Sequence, residues 1–208
     1  MKQLRILSSE MVLGALIATL AIGTAVAGYL SAMADSDQTK YNVQAMQKLT
    51  NANAEYLTTN QAISQDYGYY DSFYLNAEEK PEVSDYYLYN FSEELQAGLE
   101  RAAADTNEEA DPFDDTYYEA MYAGPNQIFA DADKLFKVAE DFGTPGDGFQ
   151  LVVLIGALGL TFAAWGSLLP EDRTLRLVFS ILSMGILIYA IIVLLGIPAP
   201  PTIPTVAP

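Results

Sequence analysis

The chain has 208 residues, 51% of them hydrophobic, with a formal net charge of −17, no histidine and no cysteine. That composition excludes disulfide frameworks and thiolate chemistry, and it removes the commonest general base and transition-metal ligand. No basic patch is present, which argues against nucleic-acid binding.

Apolar and acidic residues are segregated. Between Asp35 and Gly148 there are 24 acidic and 6 basic residues, a net −18, and the rest of the chain sums to +1. Length alone fits one domain, but the pattern is one of two apolar ends around an acidic middle.

In chain order, residues 1–10 carry Lys2, Arg5 and Glu10, and residues 11–33 carry no charge at all. A membrane span needs roughly 20 apolar residues, whereas the apolar region of a signal peptide has about 7–15. The run therefore predicts a retained transmembrane helix, although Ala25-Val26-Ala27 and Ala32-Met33-Ala34 have the small-x-small form of signal-peptidase sites. Gly14, Ala18, Ala21, Ala25, Gly28 and Ala32 recur at alternating steps of four and three. Such a small-residue seam lets another helix approach closely; packing of the three spans together is its first expected use and oligomerisation its second.

The acidic middle follows, at residues 34–149. No Gly or Pro occurs between Tyr29 and Tyr67, so the first helix is expected to continue as a stalk. Tyr41, Ala45, Leu49, Ala52, Tyr56 and Ile63 give it one face to bury. A second helical stripe is Leu88, Phe91, Leu95, Leu99 and Ala102, with Ser92 either an N-cap or a polar position in a longer helix. A third is Ile128, Ala132, Leu135, Ala139 and Phe142, beginning after a turn at Gly124-Pro125 and ending before Gly143-Thr144-Pro145-Gly146-Asp147-Gly148. Residues 67–75 and 106–115 are expected to be loops.

The acidic loop between Asp105 and Asp115 has oxygen ligands suited to Ca²⁺. However, Ala110 stands where an EF-hand loop needs Gly, and Thr116 where it needs the bidentate Glu. A solvated loop is the preferred reading, and no metal site is assigned. Of the 14 tyrosines, twelve lie in the middle segment, grouped around Tyr67–Tyr74, Tyr86–Tyr89 and Tyr117–Tyr122. Aromatic side chains of this kind serve either as packing for a small bundle or as a partner surface, and packing is marginally preferred.

Two further apolar runs, residues 150–169 and 175–197, are joined by the short connector 170–174, which makes them an antiparallel hairpin of spans. Gly159 and Ala163 form a shorter small-residue pair in the first of these. Lys2 and Arg5 flank the first span, and Arg173 and Arg176 flank the connector. Positive residues mark the cytoplasmic side, so the N-terminus and the connector are expected inside, with the acidic middle and the tail outside. Trp165, Tyr29 and Phe149 then fall near the two boundaries, where amphipathic rings are favoured. Residues 198–208 are Pro-rich and predict an extended end.

The segments Tyr29–Leu49, Asp111-Pro112-Phe113-Asp114-Asp115-Thr116-Tyr117-Tyr118-Glu119 and the run Gly146–Gly166 together resemble a loose family of bacterial three-span membrane proteins without an established activity. The resemblance implies the three-span topology and carries no functional residues.

The fold class expected is an all-α membrane protein: three transmembrane helices, an extended helical stalk and a small extracytoplasmic helical domain. No catalytic, cofactor-binding or metal-binding residue is assigned, and no P-loop, G-x-S-x-G or H-E-x-x-H motif occurs. The expected role is that of a non-catalytic accessory or scaffold protein of the cell membrane, whose partners are the bilayer and other membrane subunits or its own copies. The alternative is a homo-oligomeric cation channel with an acidic outer vestibule. Its pore would need polar residues aligned on a span, for which Thr19, Thr24, Ser180 and Ser183 are the available set.

Overall fold

The computed structural model describes residues 9–104, 110–171, 173–199 and 201. The described residues are all-helical apart from turns, with five helices: α1 (Glu10–Asn76), α2 (Pro81–Tyr89), α3 (Glu93–Ala104), α4 (Asp115–Leu168) and α5 (Thr174–Leu195). Three of them, α1, α4 and α5, are long and apolar enough to cross a membrane. The chain divides into two compact units, one made of Met1–Asn42 with Phe136–Pro208 and the other of Val43–Leu135.

In the first unit, α1, α4 and α5 pack through leucines in the first part of α1, two of which seat against glycines on α4, and through small residues farther along α1. The buried positions in this part of α1 include Leu13, Leu16, Leu20, Ala27, Ser31 and Ala34, at steps of three, four and seven residues, as an antiparallel helix seam requires. A Cβ placed on Gly166 would fall 3.2 Å from Leu13, and one on Gly159 would fall 3.0 Å from Leu20 and 3.1 Å from Ile186 of α5. Gly159 is thus the point where three helices meet. The Ser183 hydroxyl of α5 donates to the Gly159 carbonyl at 3.0 Å, tying the same point by a hydrogen bond.

This arrangement corrects the first expected use of the α1 seam, packing of the three spans, at most of its positions, although a Cβ on Gly28 would lie 3.7 Å from Val153 of α4. Ala18, Ala21, Ala25 and Ala32 are exposed, and a Cβ on Gly14 would meet nothing within 4 Å. The packed stripe lies one residue earlier, about 100° around the helix. Burying leucines removes more apolar surface and makes more contacts than burying alanines. The small residues in the packed seam are the glycines of α4 together with Ala27, Ser31 and Ala34 of α1.

The expectation of breaks at Gly124-Pro125 and at residues 143–148 is also corrected, because α4 runs through both without interruption. A proline inside a helix costs about 3 kcal/mol through its missing N–H and its steric clash. Here both Pro125 and Pro145 are fully buried, so their rings contribute packing that offsets the loss. Gly143 and Gly146 leave room for polar side chains of α1 to lie close against α4. A Cβ on Gly143 would lie 2.6 Å from Gln38 Nε2, and one on Gly146 3.0 Å from Asp35 Oδ1. The Ser31 hydroxyl donates to the Gly146 carbonyl at 3.3 Å, and the Tyr41 and Phe142 rings stack at 5.5 Å.

At the far end of α4 the connector is closed by Arg176, only 2% exposed. Its guanidinium donates to the Leu169 carbonyl at 2.8 Å and lies 3.8 Å from Glu171. A cation at a helix C-terminus satisfies carbonyls that have no partner within the helix. The residue read as a topology marker also terminates α4.

In the second unit the expected loop at residues 67–75 is helix, the last part of α1. Gly68 disfavours this by about 1 kcal/mol, but the aromatic side chains of this stretch are packed. Ile63, Phe91, Leu95, Phe113 and Tyr117 form the core, with Tyr69, Tyr70 and Phe73 against it. The second stripe splits into two helices, and Ser92 is an N-cap: its Oγ accepts from the Leu95 N–H at 3.0 Å. Part of the acidic loop, residues 105–109, lies outside the described residues, as do residues 1–8 and most of the Pro-rich tail.

Candidate functional site

The second unit is organised around a buried acid. The stripe of α1 that buries Ala52, Thr59 and Ile63 brings Asp66 to the same face, where it is 3% exposed. Its carboxyl group accepts from the Ser92 N–H at 3.2 Å, the Ser92 hydroxyl at 2.5 Å and the Tyr117 hydroxyl at 2.8 Å. One side chain thereby ties α1, the start of α3 and the start of α4. A buried carboxyl is tolerated only with such partners, and three donors leave it little capacity for a further ligand. Burial first, and then the bond to Asp66, hold the Tyr117 phenol protonated far above its ordinary range.

Asp114 forms a second node at the surface. Its carboxylate receives the Arg101 guanidinium in a two-pronged pair, at 2.8 Å and 2.7 Å, and accepts from the Tyr117 N–H at 2.8 Å. It thus caps α4 while binding α3. The Arg101 pair, then the backbone bond from Tyr117, lower its pKa to about 2. Asp111 closes the preceding turn by accepting from the Phe113 N–H at 3.0 Å. Two of the acids read as candidate Ca²⁺ ligands therefore hold the turn into α4.

The tyrosines divide between the two expected uses. Tyr117 is in the core, and Tyr69, Tyr70, Tyr118 and Tyr122 line it. Tyr67 and Tyr118 share a hydrogen bond between their hydroxyls, which is the first cause of the rise of the Tyr118 phenol to about 12. The Tyr122 hydroxyl donates to Asn60 Oδ1 at 2.6 Å, and its ring stacks on Tyr56 at 5.1 Å. In contrast, Tyr74, Tyr86 and Tyr89 are 57%, 60% and 88% exposed. An open groove of about 210 Å³ lies between α3 and α4, lined by Glu93, Glu94, Arg101, Thr116 and Tyr117 among others.

The first unit holds a cavity of about 120 Å³ among the spans, lined mainly by apolar residues together with Thr19 and Thr24. The Thr24 hydroxyl is buried without a hydrogen-bond partner among the described residues, and it stands where a Cβ on Gly156 would be, 2.2 Å away. Ser180 and Ser183 are not at a helix surface but buried, at 1% and 0% exposure.

Sequence reasoning missed the Asp66 node. The signal was available: Asp66 follows Ile63 by three residues on an apolar stripe, and a polar residue in such a position is a hydrogen-bonded core group. Its partners lie 26 and 51 positions away, and no local pattern points to them. No protein family, curated protein or solved structure matches this chain.

Proposed function

We propose that this is a non-catalytic accessory or scaffold protein of the cell membrane, acting through protein–protein contacts of its acidic unit and its spans. In this reading the N-terminus and the α4–α5 connector are cytoplasmic, and the acidic unit is extracytoplasmic. The observation that carries it is where the exposed apolar surface lies. The candidate span windows of α1, α4 and α5 are only 22%, 33% and 17% buried within the chain, and the acidic unit exposes tyrosines its own core does not use. The buried side chains Asp66 and Tyr117 and the half-buried Ser92, meanwhile, are engaged with one another, which is structural use rather than reaction chemistry. A pore would need polar residues facing outward on the spans, and Ser180 and Ser183 are turned inward, so the channel alternative gains no support from them.

Gentle detergent extraction followed by intact-assembly mass measurement tests the proposal. Expected is a mass above that of one chain, with foreign subunits bound in fixed ratio. A lone monomer defeats the scaffold reading, and a closed ring of identical chains shifts it to self-assembly.

A further inference from the structure

The strongest uncommitted surface is the outer face of α2. This nine-residue helix folds back along the end of α1 through its inner side: the Ser84 hydroxyl donates to the Phe73 carbonyl at 2.9 Å, and the Tyr87 ring meets Tyr69 at 5.7 Å. Residues three and four apart share a helix face, so Glu82, Asp85, Tyr86 and Tyr89 lie together on the opposite side, and all four are exposed. Tyr86 meets the Tyr87 ring edge-on at 5.5 Å yet stays 60% exposed, so most of its surface is left free. Tyr89 at 88% exposure gains nothing from burial, and tyrosine is a poorer helix former than the lysine, glutamate or alanine usual at such positions.

The same stretch is strongly acidic. From Glu78 to Glu94 there are six carboxylates and one lysine. Tyrosine faces beside carboxylates present a guanidinium or ammonium group with two attractions at once, the ring quadrupole and the ion pair. A second copy of this chain would bring the same negative face, and like charges across an interface disfavour association. An anionic lipid surface is disfavoured for the same reason.

We infer that the outer face of α2 docks an arginine- or lysine-rich segment of a different protein, with Tyr86 and Tyr89 as the aromatic anchors and Glu82 and Asp85 as the pairing carboxylates. This rests on the scaffold reading and names the surface and the partner chemistry within it.

The test places a photo-crosslinking benzoylphenylalanine at position 89 of the full chain in its native membranes and identifies the captured peptide by mass spectrometry. Expected is a peptide from another protein in which Lys and Arg outnumber Asp and Glu. Glu82→Lys with Asp85→Lys should lower the yield at least tenfold, while Glu119→Lys, an exposed acid elsewhere, should change it less than twofold. Capture of this same chain, of lipid, of an acidic or neutral segment, or of nothing overturns the inference, as does a yield that survives the double reversal. A parallel probe at Leu57, 62% exposed on α1, separates the two levels. Foreign capture there with silence at position 89 removes this face and leaves the scaffold reading. Silence at both positions, with a monomeric mass, removes both.

Discussion

The two units pack the same pair of helices by different means. Where α1 and α4 belong to the apolar unit, they are joined mainly by leucines against glycines, with single hydroxyl contacts such as Ser31 to Gly146 and one ring stack, Tyr41 on Phe142. Where they belong to the acidic unit, they are joined by stacked rings and a buried acid. The solvent accounts for the difference. In water, burying a large aromatic surface is itself a driving force. Between helices in lipid that force is absent, and association depends on close backbone approach and van der Waals contact. One continuous helix thus changes its packing chemistry along its length.

The sharpest way to break this comparison is to remove a ring from the acidic unit. Tyr117→Ala should destabilise that unit by about 3–5 kcal/mol, as large-to-small changes of buried aromatics do, and leave Asp66 with one partner fewer. Tyr117→Phe keeps the ring and should cost only about 1–2 kcal/mol. Amide hydrogen exchange across α2 and α3 measures both, and the amides near Gly159 should be unaffected.

Next in size is the converse change in the apolar unit. Gly159→Leu drives a side chain into Leu20 and Ile186, and overpacking of this kind costs about 1–3 kcal/mol. The midpoint of SDS-induced unfolding in mixed micelles should fall, while hydrogen exchange in the acidic unit stays unchanged.

A smaller effect tests a sign. By helix propensity, Gly98→Ala should stabilise α3 by about 1 kcal/mol. The added Cβ would lie 2.2 Å from the Pro112 carbonyl oxygen, which is backbone and cannot swing aside. The substitution should therefore lower the thermal midpoint rather than raise it.

The smallest effect is that of the exposed Asp114–Arg101 pair, and it should depend on pH. The Asp114 carboxyl has its pKa lowered from 3.8 to about 2, so its stabilisation is present above the unfolded value and is lost as pH falls through the folded one. The stability difference between the wild-type chain and Asp114→Asn should be constant above about pH 5, fall as pH drops, and level off only below about pH 2. Taking that difference removes the background of the many other carboxylates. Salt should shrink it further, as befits a pair more than one-third exposed.

Much of the fold was legible because it follows from composition along the line. Three apolar runs of span length, two of them uncharged and the third with Arg176 at its start, and the helical stripe through Tyr41, Ala45 and Ala52, were readable from the residues alone. They depend only on hydropathy and on a period of 3.6 residues. Gly124-Pro125 and Pro145 misled because a local breaker can be outweighed by burial that local sequence does not display. The seam on α1 was placed one residue off for a similar reason. Small residues abound there, and only the partner helix decides which face is used. The Asp66 node was the least legible, since its meaning lies in residues 26 and 51 positions distant.

What the sequence by itself determined is the segregation: which stretches belong with lipid and which with water, and the helical period of each. Only the tertiary structure decided which faces meet, that α4 passes through its prolines, and which tyrosines are core and which are surface. The reason is that hydropathy and periodicity are properties of neighbours along the chain. Close packing and the satisfaction of buried polar groups are properties of neighbours in space.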